Sequence, residues 1–463
     1  MTGEVGWRAH EEAVRRLRES YAAIPPGAPV RLAKKTTNLF RVRSTTHAPG
    51  LDVSGLASVI EVDPAAQTAD VQGMCTYEDL VDATLPYGLV PYVVPQLRTI
   101  TLGGAVTGLG IESPSFRHGL PHESVLEMDI LTGSGEIVTA RPGDELHGDL
   151  FDTFPNSYGS LGYATRIKIE LERVPPYVAL RHVRFDDAGL LAKTIAEVVE
   201  AREYDGVRVD GLDGVAFQPG EYYLCLATWS EEPTTVDGRH QPPSDYTGQQ
   251  VFYRSIQQRT DDVLSVYDYL WRWDTDWFWC SGAFGAQNPT LRRVWPAKYR
   301  RSDVYMKLLG LDRRFDIVDR LDRRKGRPMR ERVVQDVEVP VANLPAFLEW
   351  FDAEIGMRPV WICPLVAHRK WPSYPLEPGE TYVNVGFWGT VSVGPDAPNA
   401  PKNRAIEAKV HELGGHKSLY SEAFYDRETF DQLYDGDNLA AVKERYDPDN
   451  RLTSLYDKAV RRK

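Results

Sequence analysis

The most constraining feature of this sequence is a glycine-rich stretch, TITLGGAVTGLGIESPSFRHG, that runs from Thr99 to Gly119. Glycine has no Cβ atom, so it permits positive φ angles and lets another molecule approach the main chain closely, but it adds little to a packed core. Main-chain N–H groups exposed in this way can hydrogen-bond a flat or phosphorylated ligand. A structural loop explains the composition equally well, and no strand feeds a G-x-G-x-x-G turn of the nicotinamide-binding type. The stretch taken alone predicts either a cofactor cradle or a structural loop.

Length, charge and cysteine content restrict the class of protein. A chain of 463 residues is longer than one core usually supports, so two packed domains are expected. A formal net charge of −12 argues against nucleic acid as a partner, because nucleic-acid binders carry a basic surface. The cysteines show no C-x-x-C spacing and are expected to be reduced thiols of a cytoplasmic protein. They are Cys75, Cys225, Cys280 and Cys363.

The hydropathy pattern predicts a protein that is soluble or peripheral to a membrane. No run of about eighteen apolar residues occurs, and Trp7 to Ile24 has the pattern of an amphipathic helix rather than of a signal peptide. One aromatic cluster is a candidate for contact with a membrane interface, and the alternative is that it lines a buried pocket or a domain boundary. The cluster consists of Trp271, Trp273, Trp277, Phe278 and Trp279.

The first part of the chain alternates short strand patterns with helical ones, as in an α+β protein. The predicted elements are strands at Ser58–Asp63 and Thr68–Gly73, a helix from Tyr77, a hairpin turning at Gly133–Gly135, and a strand from Tyr163. The last strand pattern ends in Pro175 and Pro176, which cannot continue a central ladder. A first domain boundary is therefore expected there.

A second pattern begins at Tyr177 and predicts antiparallel strands with helices on one face. Its elements are the strand ALRHVRF, a helix at Leu190–Arg202, strands near Val207 and at Tyr222–Thr228, the strand VVQDVEVPV, a helix at Leu344–Ile355, and the strands PVWICPLV and YVNVGFWGT. The expected fold class is α+β throughout.

An ordered set of strings resembles the flavin-binding fold of the vanillyl-alcohol oxidase type. These strings are LGGAVTGLGIESPSFRHGL, TGSGEIVTA, GDLFDTFPNSYGSLGYAT and, near the end of the chain, DPDNRL. Within that superfamily the chain is most similar to Δ24-sterol reductases and to bacterial flavoproteins that resemble them. The strings that carry this narrower likeness are Ile111–Ser113, Arg332–Asp336, Trp361–Pro364, Tyr374–Glu377 and Glu422–Tyr425. The likeness runs over nearly the whole chain.

The resemblance implies a two-subdomain FAD-binding domain with an inserted antiparallel-sheet substrate (cap) domain. The expected limits are 1–175 for the FAD-binding domain, 176–425 for the substrate domain, and 426–463 for a C-terminal return that completes the FAD-binding domain. It also implies reduction of an isolated carbon–carbon double bond in a lipid. Membrane sterol reductases begin with a hydrophobic anchor that this sequence lacks. The expected substrate is therefore the methylene branch of a 10-methylene fatty acyl chain, as in some of the bacterial relatives, with a Δ24 sterol as the alternative.

The resemblance also assigns residues to FAD. The loop Lys34, Lys35, Thr36, Thr37, Asn38 and Leu39 stands where the family binds the pyrophosphate, and its alternative is a solvated basic turn. The run along the ribityl chain and the isoalloxazine comprises Thr101, Gly103, Gly104, Thr107, Gly108, Gly110, Ile111, Ser113 and Gly119, followed by Gly159, Gly162 and Ala164 on a later strand. Neither the phosphate loop nor Pro95–Arg98 contains the His or Cys that tethers flavin in some members. Non-covalent FAD is expected.

An isolated alkene accepts hydride poorly, so an acid in a dry pocket must protonate it first. Glu112, within the glycine run, is the first candidate for that acid. Its alternative is a carboxylate that bonds the ribityl hydroxyls or a neighbouring main-chain N–H group. The other candidate donors or orienting groups are Lys298, Tyr299, Tyr305, Tyr382, Asn384 and Tyr425. Gln335 and Asp336 are expected to have a structural hydrogen-bonding role.

No metal site is expected. The sequence HELGGH at residues 411–416 places its histidines five apart, whereas a zinc-binding helix requires a spacing of four. NADPH is the expected electron donor, acting at the flavin pocket or through a partner. Two alternatives remain: an FAD-dependent oxidase or dehydrogenase of alcohols or hydroxy acids, and a non-catalytic flavin-binding subunit of a lipid methyltransferase complex.

Overall fold

The computed structural model describes residues 4–33, 40–41, 50–307 and 329–461. Its first sheet is built from strands β1 (Val59–Asp63), β2 (Thr68–Gln72), β3 (Leu89–Pro91), β4 (Val125–Leu131), β5 (Ile137–Ala140) and β6 (Tyr163–Arg173). The spatial order is β1-β2-β6-β4-β5, and β3 pairs with β6. Gly135 adopts a φ of +91° in the turn between β4 and β5, which confirms the predicted hairpin.

The helices of this region are α1 (Gly6–Ala22), α2 (Tyr77–Thr84), α3 (Leu102–Gly108), α4 (Ser115–His118) and α5 (Gly148–Thr153). Helix α3 lies inside the glycine-rich run, so the prediction of an uninterrupted loop there was wrong. The Thr101 hydroxyl accepts a hydrogen bond of 3.2 Å from the Gly104 N–H group and caps this helix. The cap and the local sequence Leu-Gly-Gly-Ala-Val are sufficient for two turns despite the poor helix propensity of glycine.

The second sheet begins directly after Pro175 and Pro176. Its strands are β7 (Tyr177–Phe185), β10 (Gly211–Gln218), β11 (Glu221–Ser230), β12 (Asp261–Ser265), β13 (Arg330–Pro340), β14 (Val360–Val366), β15 (Thr381–Ser392) and β16 (His416–Lys417), while β8 (Glu203–Tyr204) and β9 (Val207–Arg208) form a separate hairpin. The spatial order is β12-β7-β11-β10-β14-β15-β13-β16. Every pairing between the named strands is antiparallel, which confirms the α+β class with antiparallel sheets.

The rest of the chain contributes the helices that cover one face of the second sheet and the helices of the C-terminal segment. The helices after β7 are α6 (Ala188–Ala201), α7 (Phe252–Ser255), α8 (Val266–Trp271), α9 (Pro289–Val294), α10 (Leu344–Glu354), α11 (Pro401–Glu412), α12 (Arg427–Leu433), α13 (Gly436–Tyr446) and α14 (Leu455–Ala459). Val333, Val337 and Val339 of β13 share an apolar cluster with residues of α6, α10 and α11. Because side chains alternate along a strand, Val334, Asp336 and Glu338 lie on the opposite face of the sheet.

The C-terminal segment packs against the first part of the chain. The Arg451 carbonyl accepts a hydrogen bond of 2.9 Å from the Val30 N–H group, and Lys458 Nζ donates one of 2.9 Å to the Tyr158 carbonyl. The Tyr446 hydroxyl donates to Asp149 Oδ1 at 2.9 Å. Among the described residues, no helix combines the length and the apolar character needed to cross a bilayer.

Candidate active site

A cavity of about 750 Å³ is walled on one side by the glycine run and on the other by the face of the second sheet that lies opposite α6, α10 and α11. Most of the residues predicted to bind the cofactor line it, namely Thr101, Gly103, Gly104, Thr107, Gly108, Gly110, Ile111, Gly159, Gly162 and Ala164. Ser113 and Gly119 are absent from the described lining. The Ser113 hydroxyl is hydrogen-bonded to the Tyr269 hydroxyl at 2.6 Å, and a Cβ on Gly119 would meet Glu123. The predicted phosphate loop Lys34–Leu39 lies outside the described residues.

Main chain forms the first wall, and two glycines show why. A Cβ on Gly104 would meet Thr101 Oγ1 at 2.9 Å and no other described side chain within 4 Å, so a larger side chain there would enter the cavity. Gly162 has a φ of +146°, and a Cβ on it would lie 2.6 Å from the Leu131 carbonyl oxygen. Neither position accepts a side chain without filling the cavity or straining the backbone.

Aromatic rings form much of the second wall. Phe278 lies 4.4 Å from Trp388 and 5.4 Å from Trp361 between ring centroids, and Phe40 stacks on Trp277 at 5.7 Å. All five rings line the cavity. Such a surface excludes water and suits an apolar ligand.

The aromatic cluster that the sequence offered as a candidate for membrane contact lies mostly inside the protein. Trp271, Trp273, Trp277 and Phe278 are buried, and Trp279 is partly buried. The burial of these four rings agrees with the alternative interpretation, a buried pocket or domain boundary, and Trp277 and Phe278 line the cavity.

Among the described residues that line the cavity, one carries a carboxyl group, namely Asp336. Asn384 Nδ2 donates to Asp336 Oδ1 at 3.4 Å, and Tyr420 also hydrogen-bonds this carboxyl. Gly386 pairs with Asp336 across β13 and β15, and a Cβ there would lie 2.4 Å from Asp336 Oδ1. Burial raises the pKa of Asp336 to about 7. The group can therefore carry a proton near neutral pH.

A second buried carboxyl, that of Glu338, lies on the same face of β13. The Tyr374 hydroxyl donates to Glu338, and the Ser418 hydroxyl donates to Glu338 Oε1 at 3.1 Å. Burial raises the pKa of Glu338 to about 8, and the nearby Asp336 adds to this. Ser418 lines the cavity whereas Glu338 does not. Asp336 is thus the carboxyl that reaches the cavity directly.

Glu112, the predicted acid, is buried outside the cavity lining. Its Oε1 atom accepts hydrogen bonds of 2.8 Å from the Ser113 N–H group and of 2.8 Å from Arg272 Nη2. Arg272 Nη2 also lies 2.9 Å from Asp213 Oδ2. Burial raises the pKa of Glu112 while Arg272 opposes the shift. This is the arrangement of the alternative interpretation, a carboxylate that bonds a neighbouring N–H group.

The Glu112–Arg272–Asp213 cluster predicts a large effect on folding. Arg272→Met would leave two buried carboxylates without their cation, so we expect the free energy of unfolding to fall by about 3–5 kcal/mol. Lys193→Met is the control, because it breaks the exposed Lys193–Glu197 pair of α6 and should cost less than about 0.5 kcal/mol. Urea unfolding of both variants checks this, and equal losses would contradict it.

The remaining predicted catalytic residues do not share one site. Lys298 and Tyr299 are exposed, and Tyr305 is buried with its hydroxyl donating to the Thr275 carbonyl at 3.2 Å. The Tyr382 hydroxyl accepts from the Glu377 N–H group at 3.3 Å. These four and Tyr425 are absent from the described cavity lining, and Asn384 is present in it. Of these alternative candidates, Asn384 is the one that reaches the described cavity.

Asp336, Tyr420 and Trp388 are the functional candidates that sequence reasoning missed. Gln335 does have the expected structural role, since its side-chain amide donates to Asn403. Asp336 points to the other face of β13 and lines the cavity. The available signal was the pair of carboxyls at alternate positions, Asp336 and Glu338, among the valines of β13, because ionisable groups are rarely buried without a purpose.

The residues present fit FAD. The glycine wall leaves room for a flat ring against the main chain, and Asn384 Oδ1 is buried in the lining without a hydrogen-bond partner among the described residues. Arg31, Arg41 and Lys458 bring three cations to the cavity for an anionic ligand. Arg31 and Leu32 of the lining are close in sequence to the predicted pyrophosphate loop.

Comparison with known proteins defines the class. Residues 8–141 match the model of an FAD binding domain. Together with the antiparallel α+β fold and the glycine-walled cavity, this match shows that the first part of the chain is an FAD-binding domain of the vanillyl-alcohol oxidase type.

Individual proteins match a larger part of the chain than the domain model does. The chain is 24% identical over 447 residues to the Delta(24)-sterol reductase of Arabidopsis thaliana, which covers 88% of this chain and 76% of the relative. It is 24% identical over 423 residues to the human Delta(24)-sterol reductase, with 87% and 76% covered. A cytokinin dehydrogenase of rice is 31% identical over 147 residues, which is 31% of this chain and 28% of the relative. The likeness to sterol reductases thus extends through both sheets.

Proposed function

We propose that the protein reduces an isolated carbon–carbon double bond in a lipid, with non-covalent FAD as its cofactor and NADPH as the electron donor. One observation carries the proposal: the protonatable carboxyl of Asp336 is buried in the aromatic wall of the cavity whose other wall is the glycine run. An oxidase of alcohols would need a base and a polar pocket at this place. The relatives named Delta(24)-sterol reductase support the same type of reaction.

Asp336 is the proton donor in this proposal. Its proton forms a C–H bond with the less substituted alkene carbon as the π bond breaks, which leaves positive charge on the more substituted carbon. Reduced FAD, when bound, supplies the hydride that forms the second C–H bond. The Trp388 and Phe278 rings stabilise the positive charge through their negative faces and exclude water. Asp336 then regains a proton from solvent.

Asn384 and Tyr420 position the Asp336 carboxyl. Both bond it from neighbouring elements, and Trp388 Nε1 donates to the Tyr420 hydroxyl at 3.0 Å. These bonds stabilise the carboxylate after it has lost its proton.

The first substrate to test is a 10-methylene fatty acyl lipid, whose reduction gives a methyl branch. Protonation of its terminal methylene carbon gives a tertiary centre, which the mechanism requires. The second is a Δ24 sterol, since the names of the relatives favour it and its double bond also gives a tertiary centre.

Anaerobic flavin absorbance tests the proposal. Purified protein should bleach with NADPH and reoxidise when the methylene lipid, or the sterol, is added. Bleaching by an alcohol or a hydroxy acid, without reoxidation by either alkene, would replace the proposal by a dehydrogenase. A flavin that responds to neither would favour the non-catalytic subunit of a lipid methyltransferase complex.

Alkene reduction should depend on pH through Asp336. Because the proton donor must be protonated, kcat/KM should be constant at lower pH and fall about tenfold per pH unit above about 7. The ionisable groups near Asp336 are Glu338, Tyr420, Tyr158 and Cys363, and burial raises the pKa of each, so they stay neutral in this range or, for Glu338, titrate close to it. A profile that rises between pH 7 and 9 would contradict the assignment. Reduction of FAD by NADPH, measured in the same buffers, separates the two half-reactions.

A further inference from the structure

Helix α9 and the residues after it are packed with their polar side inward. Arg292 of α9 is buried, whereas Leu291 and Val294 are 48% and 76% exposed, and Tyr299 is 47% exposed. An ordinary surface helix buries its apolar side chains and exposes its charged ones. We call the exposed side chains of Leu291, Arg293, Val294, Lys298 and Tyr299 the 289–299 face.

Buried polar contacts hold this arrangement. Arg292 Nη1 and Nη2 lie 2.7 and 3.0 Å from the two carboxylate oxygens of Asp276. Its other donors reach the carbonyls of Gln249 and Gln250 at 2.6 and 2.9 Å. A bidentate arginine in this setting is rigid. The exposure of Leu291 and Val294 is therefore fixed by the fold.

The chain segment that carries the face is positively charged although the chain carries −12 overall. No Asp or Glu occurs from residue 277 to residue 302, a segment that includes the exposed Arg293 and Lys298. Apolar side chains flanked by cations match a bilayer with anionic headgroups, because the apolar groups enter the interface and the cations meet the headgroups. Because the chain as a whole is negatively charged, anionic headgroups favour an orientation that brings this positively charged segment to the bilayer first.

The face is joined to the cavity wall. Asp276, the partner of Arg292, directly precedes Trp277 and Phe278, which line the cavity. Ser281 also donates to Asp276 at 2.7 Å, which ties the same segment together.

We propose that the 289–299 face docks on an anionic phospholipid bilayer and holds the aromatic wall of the cavity next to the acyl chains. This inference deepens the proposed function, because it states where a lipid substrate would be taken up. It places the membrane contact outside the aromatic cluster that the sequence offered as a candidate for it.

Flotation with vesicles tests the docking. The holoprotein should bind vesicles of equal parts phosphatidylglycerol and phosphatidylethanolamine, bind phosphatidylcholine vesicles weakly, and lose affinity as salt is added. The double variant L291S/V294S should bind the anionic vesicles at least tenfold more weakly, and Arg293→Gln about fivefold more weakly. The matched control is Leu146→Ser, since Leu146 is 66% exposed elsewhere, and it should bind like the wild type.

Failure to bind anionic vesicles at low salt, or undiminished binding by L291S/V294S, would overturn the docking. Turnover of detergent-dispersed lipid keeps the two proposals apart. L291S/V294S should reduce dispersed lipid at the wild-type rate while losing activity on vesicles. If the wild type binds vesicles but reduces no dispersed lipid, the proposed function fails and the docking face stands.

Discussion

Asp336→Asn should lower the rate of alkene reduction by about 10²- to 10⁴-fold, the usual contribution of a positioned acid. The asparagine amide has nearly the same shape as the carboxyl, and its oxygen can accept the hydrogen bond that Asn384 Nδ2 donates to Asp336. The cavity should therefore persist in this variant. FAD should remain bound and NADPH should still reduce it, because this half-reaction needs no proton from Asp336. Stopped-flow absorbance resolves the reduction and the reoxidation of FAD separately.

Two variants control for the loss of a buried carboxyl. Glu338→Gln removes the neighbouring carboxyl of β13 without altering the cavity lining, and Glu112→Gln removes the acid that the sequence predicts. Both should retain alkene reduction within about tenfold of the wild type. Loss of reoxidation in Glu112→Gln, with normal rates in Asp336→Asn, would return the donor role to Glu112.

An assay without cofactor complements the kinetics of Asp336→Asn. Infrared difference spectra of FAD-free protein should show a carboxylic acid that loses its proton near pH 7 and is missing from this variant. An identical titration in the variant would exclude Asp336 as the group observed.

Gly104→Leu should abolish FAD binding, and with it all activity. The new side chain would enter the cavity from the glycine wall, where only Thr101 Oγ1 lies within 3 Å of the Cβ position. The change should cost little stability, because leucine has the higher helix propensity and offsets the disturbance of the Thr101 cap. The flavin absorbance of the purified variant and its circular dichroism measure the two effects.

Gly189→Leu is the matched control for Gly104→Leu. Gly189 also lies in the first turn of a helix, α6, and a Cβ there would meet the oxygen of the capping side chain of Asp187 at 3.1 Å. It is exposed and does not line the cavity, so this variant should be yellow. A Gly104→Leu protein that retains stoichiometric FAD would show that the cofactor lies elsewhere.

Local patterns were sufficient to predict much of the fold. Helices predicted at Leu190–Arg202 and Leu344–Ile355 occur at Ala188–Ala201 and Leu344–Glu354, because their apolar positions recur with helical spacing. Helix α3 was missed because glycine has low helix propensity, and the Thr101 cap that offsets this is a local detail.

The site was harder to predict than the fold. Most of the glycine run lines the cavity as expected, because a residue without a Cβ lets a ligand approach the main chain in a helix as well as in a loop. Glu112 and Asp336 are both buried carboxyls, and only the alternation of β13 and the gap left by Gly386 decide that Asp336 reaches the cavity. Tyr420 and Trp388 come from distant parts of the chain, and their meeting with Asp336 depends on strand order.

Mass spectrometry of the lipids after a single anaerobic turnover shows directly whether the protein reduces a carbon–carbon double bond. Protein reduced with one equivalent of NADPH is mixed with a 10-methylene lipid, and separately with a Δ24 sterol, before the lipids are extracted. One of these lipids should gain two hydrogens in proportion to the FAD that reoxidises. A substrate that instead loses two hydrogens while oxidised FAD is reduced, with both alkenes unchanged, would contradict it.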